Sequence, residues 1–209
     1  MKNTRRRCHE IYMLIHGKSI FFLCSDALKD TAEFFSAVLQ HEDTAHDVIE
    51  DNRTIQVGWG FYKVLQSGGE YQILACDIEN DPFQTVTEDL SLNLEIFSQQ
   101  RRILSITKVE PLETSLQDTL VVHRAAVKAP RVYLQRNEPG NPGDSGWYMG
   151  AIGVKASNDP SEYARVYTYQ LLKFCKEAIS VIQLPVGAIC VIENGSLIEI
   201  VDKDNNKLF

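Results

Sequence analysis

The dipeptide Asn194-Gly195 stands between two short apolar-rich runs, 188–193 and Ser196–Val201. Asn-Gly accepts φ > 0 at both central positions of a two-residue turn, the geometry that matches the right-handed twist of paired strands. The chain is therefore directed there into an antiparallel hairpin. The same logic recurs upstream. Runs at 11–15 and 20–24 flank His16-Gly17-Lys18-Ser19, and runs at 53–65 and 71–77 flank Gln66-Ser67-Gly68-Gly69-Glu70. Both read as hairpins.

Helical periodicity fills the gaps. Ser25 or Asp26 caps a predicted helix to about Gln40, with Leu28, Ala32, Phe35 and Leu39 on one stripe and Phe34 and Val38 widening it. The acidic stretch 41–51 reads as a solvated connection. In 53–65 the residues Ile55, Val57, Trp59 and Phe61 alternate with Gln56, Gly58, Gly60 and Tyr62, as one strand with an apolar face would. Asn80-Asp81-Pro82 breaks the chain, and a second helix runs from Phe83 or Thr87 to about Gln100. Strand-like runs follow at 120–127, Arg131–Arg136 and 147–152, with a Gly- and Pro-rich loop at 137–146 and a polar loop at 156–161. A last helix is predicted over 167–182, burying Leu171, Leu172, Cys175 and Ile179 and ended by Leu184-Pro185-Val186-Gly187.

Hairpins outnumber any parallel crossovers, so the fold class is α+β, with mainly antiparallel sheets and one principal helix per segment. Two small packed domains are expected, 1–112 and 118–209, parted by the polar stretch 111–118.

Composition narrows the function. At 44% hydrophobic and 23% charged residues the chain has material for a real core, which argues against disorder. A net charge of -7 argues against a nucleic-acid partner, which selects a basic face, and suits a partner with a basic surface. The basic start Met1–Arg7 is followed only by short, interrupted apolar runs, so neither a signal peptide nor a membrane span is expected. The expected location is the cytoplasm. The cysteines Cys8, Cys24, Cys76, Cys175 and Cys190 are scattered and without a CxxC pair, which predicts reduced thiols packed as small apolar groups.

A catalytic constellation does not emerge. His41 and His46 lie among Glu42, Asp43 and Asp47, but their spacing is not that of a helical metal pair, and a solvated acidic face accounts for them. His123 reads as a structural histidine within a strand, and neither a metal nor a cofactor is expected. Ser145 precedes a tryptophan and a strand, not the strand-to-helix turn a nucleophilic serine needs. Glu138, Asp144, Asp159 and Glu162 are carboxylates that a hydrolase would gather around Trp147. The alternative is that Asp144 accepts amide hydrogens within its own loop, as turn aspartates commonly do.

Four motifs stand in order in the second segment: Val132-Tyr133-Leu134-Gln135-Arg136 followed by Asn-Glu-Pro139, Asp144-Ser145-Gly146-Trp147, Tyr167-Thr168-Tyr169-Gln170-Leu171-Leu172, and Leu184-Pro185-Val186-Gly187. Over residues 118–202 this pattern resembles a family of bacterial immunity proteins of polymorphic toxin systems. The chain departs from that family where Met149-Gly150-Ala151-Ile152-Gly153 replaces acidic residues that often follow the tryptophan motif.

The resemblance implies a non-enzymatic protein that neutralises a cognate toxin or effector by direct binding. Its contact candidates are Glu138, Asp144, Trp147, Tyr148, Asp159, Glu162 and Tyr163, with Trp59 and Tyr62 as further aromatic anchors. Two rival readings remain open on the sequence. One is a hydrolase using Asp144 with Glu138 or Glu162, and the other is a ligand-sensing module built on the apolar hairpin around Trp59.

Overall fold

The computed structural model describes residues 8–155 and 157–209. The basic segment Met1–Arg7, and Ala156 of the predicted polar loop, lie outside them. The chain divides into two compact units, Met1–Ser98 and Gln99–Phe209, each with a six-stranded mixed sheet. The class is α+β, as the hairpin pattern requires.

In the first unit, β1 (Cys8–Ile15) and β2 (Lys18–Ser25) form the expected hairpin. His16 and Gly17 both take positive φ in its turn. A short 3-10 turn at Asp26–Leu28 leads into α1 (Lys29–His46). The helix thus runs through residues expected to be a solvated connection. The reason is Asp43: it continues the Ala32, Phe35, Leu39 stripe one turn further and is itself buried. Its carboxylate accepts from the Ile49 amide and from His16 Nδ1, both at 2.8 Å, so a charge is tolerated on an apolar stripe.

The single strand expected over 53–65 is two strands, β3 (Thr54–Val57) and β4 (Gly60–Ser67). Gly58 takes φ 57 and opens a two-residue turn with Trp59. The apolar parity shifts across it: Ile55 and Val57 are buried before the turn, Tyr62 and Val64 after it. β5 (Glu70–Cys76) pairs antiparallel with β4 and in parallel with β2, and β6 (Val86–Thr87) adds to its other end. α2 (Ser91–Thr107) starts and ends later than the periodicity predicts and absorbs Ile103 to Thr107. Phe22, Phe35, Tyr62, Ile73 and Leu94 form the centre of this unit's core. Phe35 packs against Phe22 edge-on and against Tyr62 at 4.8 Å between ring centroids.

The second unit orders its strands β10-β7-β9-β8-β11-β12. These are β7 (Thr119–His123), β8 (Arg131–Arg136), β9 (Asp144–Ala151), β10 (Tyr163–Tyr167), β11 (Ile189–Glu193) and β12 (Ser196–Val201). Asn194 and Gly195 both have positive φ and join β11 to β12, as the dipeptide demands. β7 is shorter than the predicted run because Arg124–Lys128 turns into a 3-10 segment. β7 and β9 pair in parallel, against the antiparallel majority.

The helix predicted over 167–182 is two 3-10 segments, Thr168–Lys173 and Lys176–Val181. Phe174 and Cys175 leave helical φ/ψ between them, while the Leu171 carbonyl accepts from both their amides. Thr168 is fixed at the entry, its amide donating to Asp118 O and its hydroxyl to Ser115 O. Ile179, Val181 and Ile182, β-branched and buried, are poor α-formers. These segments cover one sheet face, against Leu134, Trp147, Met149 and Cys190. Among the described residues, no helix is long and apolar enough to cross a membrane.

Candidate partner-binding surface

Strand alternation divides the predicted contact residues of the second unit between the two faces of its sheet. On β9, Trp147 and Met149 point to the buried face and Tyr148 to the other; on β8, Arg136 pairs with Trp147, and Tyr133 lies opposite Gly150.

The buried face holds the sequence motifs. Arg136 is 1% exposed, and its guanidinium donates to Ser145 O, Leu112 O, Ile182 O and Leu184 O and to Thr114 Oγ1. Burial pushes this guanidinium down to about 10, with the negative charge of Asp118 opposing the shift. Five oxygen acceptors replace its hydration, as a buried cation requires. Trp147 is equally buried, donates from Nε1 to Ile182 O at 2.9 Å, and has the Arg136 guanidinium carbon 5.7 Å from its ring centroid.

The loop between them is built to the same end. Asp144 accepts from Gly146 N at 3.0 Å and Gly140 N at 3.3 Å, one bond to each carboxylate oxygen. Ser145 Oγ donates to Thr119 O and accepts from Trp147 N. Gly146 has φ 75, and a Cβ there would meet Asn137 O at 2.1 Å. Gly187 N donates to Arg136 O. Gln183 clamps Thr114, accepting from its amide at 3.1 Å and donating to its carbonyl at 2.9 Å. Residues of three of the four ordered motifs thus close around one buried guanidinium. Trp147 presents no ring to a partner or a substrate, and Asp144 spends its carboxylate on its own loop.

The opposite face brings other candidates together. Tyr133, Tyr148 and Tyr163 form a half-buried row across β8, β9 and β10, with ring centroids 5.8 Å and 6.2 Å apart. Burial and a hydrogen bond with the Tyr133 hydroxyl push the Tyr148 phenol well above its usual range, so it stays neutral. His123 packs edge-on to Tyr163 at 5.1 Å. It is buried; Nδ1 accepts from Ala125 N, which leaves the proton on Nε2, 3.3 Å from Glu162 Oε2 but outside hydrogen-bond geometry. Tyr163 Oη donates to Ser157 O and accepts from Ser157 N, fixing the loop before β10. Asp159 is exposed and accepts from Ser161 N, a bond that holds its carboxyl below the usual range.

Of the remaining candidates, Glu138 is exposed in the β8–β9 loop. Trp59 and Tyr62 are 2% and 1% exposed, so both rings belong to the interior. Tyr133 and His123 joined the tyrosine face without having been singled out for it. Period-two parity could have found Tyr133, which alternates with Val132 and Leu134. The same parity marks Arg136 as a charge on the buried side. Among the described residues no group of three or more His, Cys, Asp or Glu could hold a metal ion.

The sheet of the second unit thus has one face tied up in structural hydrogen bonds and an opposite face that is aromatic and edged by carboxylates. The family model described as the Imm33-like domain matches residues 99–203, and the chain belongs to that immunity-protein-like family. Neither the curated proteins nor the solved structures contain a match to the chain.

Proposed function

We propose that the protein is an immunity protein that neutralises a cognate bacterial toxin in the cytoplasm by direct binding, catalysing no reaction. The observation that carries this reading is membership of the immunity-protein-like family, in a second unit whose motif residues are spent on holding the fold. With Trp147 buried and the half-buried Asp144 bonded to its own loop, recognition falls to the tyrosine face. Tyr148 and Tyr163 supply broad, rigid apolar contact with polar tips, the residue type that anchors protein interfaces. Glu162 and Asp159 at its rim, with a net charge of -7, favour a toxin surface rich in Lys and Arg and speed the encounter.

The test is co-expression of this chain with the toxin encoded beside its gene, followed by co-purification. Rescue of growth with a stable complex is the expected result. Rescue without a complex would point to repair or to destruction of a toxic product, and would overturn neutralisation by binding.

A further inference from the structure

β1 stands at one end of the first unit's sheet and pairs, among the described strands, with β2 alone. An edge strand leaves every second amide and carbonyl without a ladder partner, and proteins blunt such edges against chance pairing. The other edges follow that rule. β3 and β6 are only four and two residues long, and β10 carries Arg165 at its centre. The C-terminal residues cover β12, where Leu208 N donates to Ile200 O and Ile200 N donates to Phe209 O.

β1 carries none of these devices. Its eight residues contain no Pro, Lys or Arg, and its register with β2 runs unbroken from Cys8 opposite Ser25 to Ile15 opposite Lys18. Its outward side chains are apolar as well. Leu14 is 71% and Tyr12 57% exposed, the two most exposed large apolar side chains among the described residues. Both belong to one sheet face, where Tyr12 stacks on Phe21 at 5.6 Å between ring centroids. Ile11, Met13 and Ile15 pack on the opposite face, against the core.

We propose that this edge pairs with the same edge of a second copy of the chain, joining two sheets into one. Antiparallel pairing about a twofold axis at Met13 sets Tyr12 opposite Leu14 of the second copy, Ile11 opposite Ile15 and Glu10 opposite His16. Every contact then occurs twice. Apolar side chains meet apolar ones on both faces, and no like charges are opposed. This self-complementarity selects a second copy as the occupant. The inference concerns the first unit, outside the residues matched by the family model, and does not rest on the neutralising reading.

Sedimentation velocity of the full chain, from about 1 to about 200 μM, should show a monomer–dimer equilibrium with a dissociation constant of about 10 μM, as suits a small contact. Amide exchange in residues 10–14 should slow as the dimer forms. Leu14→Lys places a charge at an already exposed position. It should weaken the dimer roughly tenfold or more and leave the melting temperature of the dilute chain unchanged. Ile198→Lys, on the covered strand β12, should leave the dimer intact. A monomer at every concentration, or a dimer whose β1 amides exchange as fast as the monomer's, would overturn the proposal. So would a dimer indifferent to Leu14→Lys, or one lost equally in Ile198→Lys. Protection of β1 that appears only with the toxin would overturn it too, giving the edge to that partner.

Discussion

Arg136 and Trp147 pair across β8 and β9 and share one acceptor, the Ile182 carbonyl, which takes hydrogen bonds from both the guanidinium and the indole. This shared acceptor ties two strands to the segment that covers them. Arg136→Met strips donors from several buried carbonyls at once and is expected to cost about 3 kcal/mol or more. Trp147→Phe keeps most of the apolar ring, loses the Ile182 bond, and costs about 1–2 kcal/mol. Urea unfolding of the two variants checks the order. Equal, negligible losses would mean the network does not hold the fold.

Gly146 and Gly143 separate the two penalties a side chain can incur. Both have positive φ, at 75 and 81, but a Cβ on Gly146 meets Asn137 O at 2.1 Å, whereas one on Gly143 meets nothing within 4 Å. Gly143→Ala should therefore cost only the left-handed backbone penalty, about 1 kcal/mol. Gly146→Ala must also displace the Asn137 backbone and is expected to cost about 3 kcal/mol or more. Thermal melts of the pair decide it, and similar melting temperatures would refute the steric account.

These sites show what the sequence makes legible. Local turn chemistry read well: Asn194-Gly195 and Gly68-Gly69 specify their hairpins through φ alone. Long-range burial did not. Asp43 reads as part of a solvated connection beyond the helix until its partners His16 and Ile49 are known, and only then does α1 run on to His46. Leu171, Cys175 and Ile179 have helical spacing, but Thr168, bonded to Asp118 and Ser115, pins the chain at its entry and the backbone breaks at Phe174 and Cys175. β10 was missed because Tyr163-Ala164-Arg165-Val166-Tyr167 is short and none of it is fully buried. The DSGW motif was legible as a motif, while its role depends on an arginine eight residues upstream of Asp144 and an Ile182 carbonyl far downstream.

Asp43 makes stability fall in acid. Burial alone would raise its carboxyl, but the Ile49 amide, His16 and Lys18 together outweigh that and lower it below 3.8. A depressed folded-state value means the unfolded chain binds the proton more tightly, so the contribution is full above about pH 3.8 and disappears as pH falls through the folded value. Asp43→Asn should lose about 1–3 kcal/mol at neutral pH and show a shallower decline below pH 3.8. Denaturation followed from pH 7 to pH 2.5 measures both. An unchanged acid slope would remove Asp43 from the account.

Three of the thiols, Cys24, Cys175 and Cys190, should be inert in the native protein. Burial pushes Cys24 and Cys175 up to about 11, and Cys190, fully buried, higher still. At pH 8 almost none of each is thiolate, the reactive form. Ellman's reagent should label these three slowly without denaturant and all five cysteines rapidly in urea. Fast native labelling at Cys190 would contradict the packing of β11.

The tyrosine face carries the central claim, and the direct measurement is calorimetric titration of the full chain with the toxin encoded beside its gene. A complex of about nanomolar affinity is expected. Tyr163→Ala should weaken it by roughly 30-fold or more. Glu162→Arg should slow association in a salt-dependent way. Glu162→Arg should keep a melting temperature near that of the wild type, whereas Tyr163→Ala, which frees the loop at Ser157, lowers it, so binding is compared well below both melting points. Absence of a complex at micromolar concentrations, or a complex that tolerates both substitutions, would contradict neutralisation through this face.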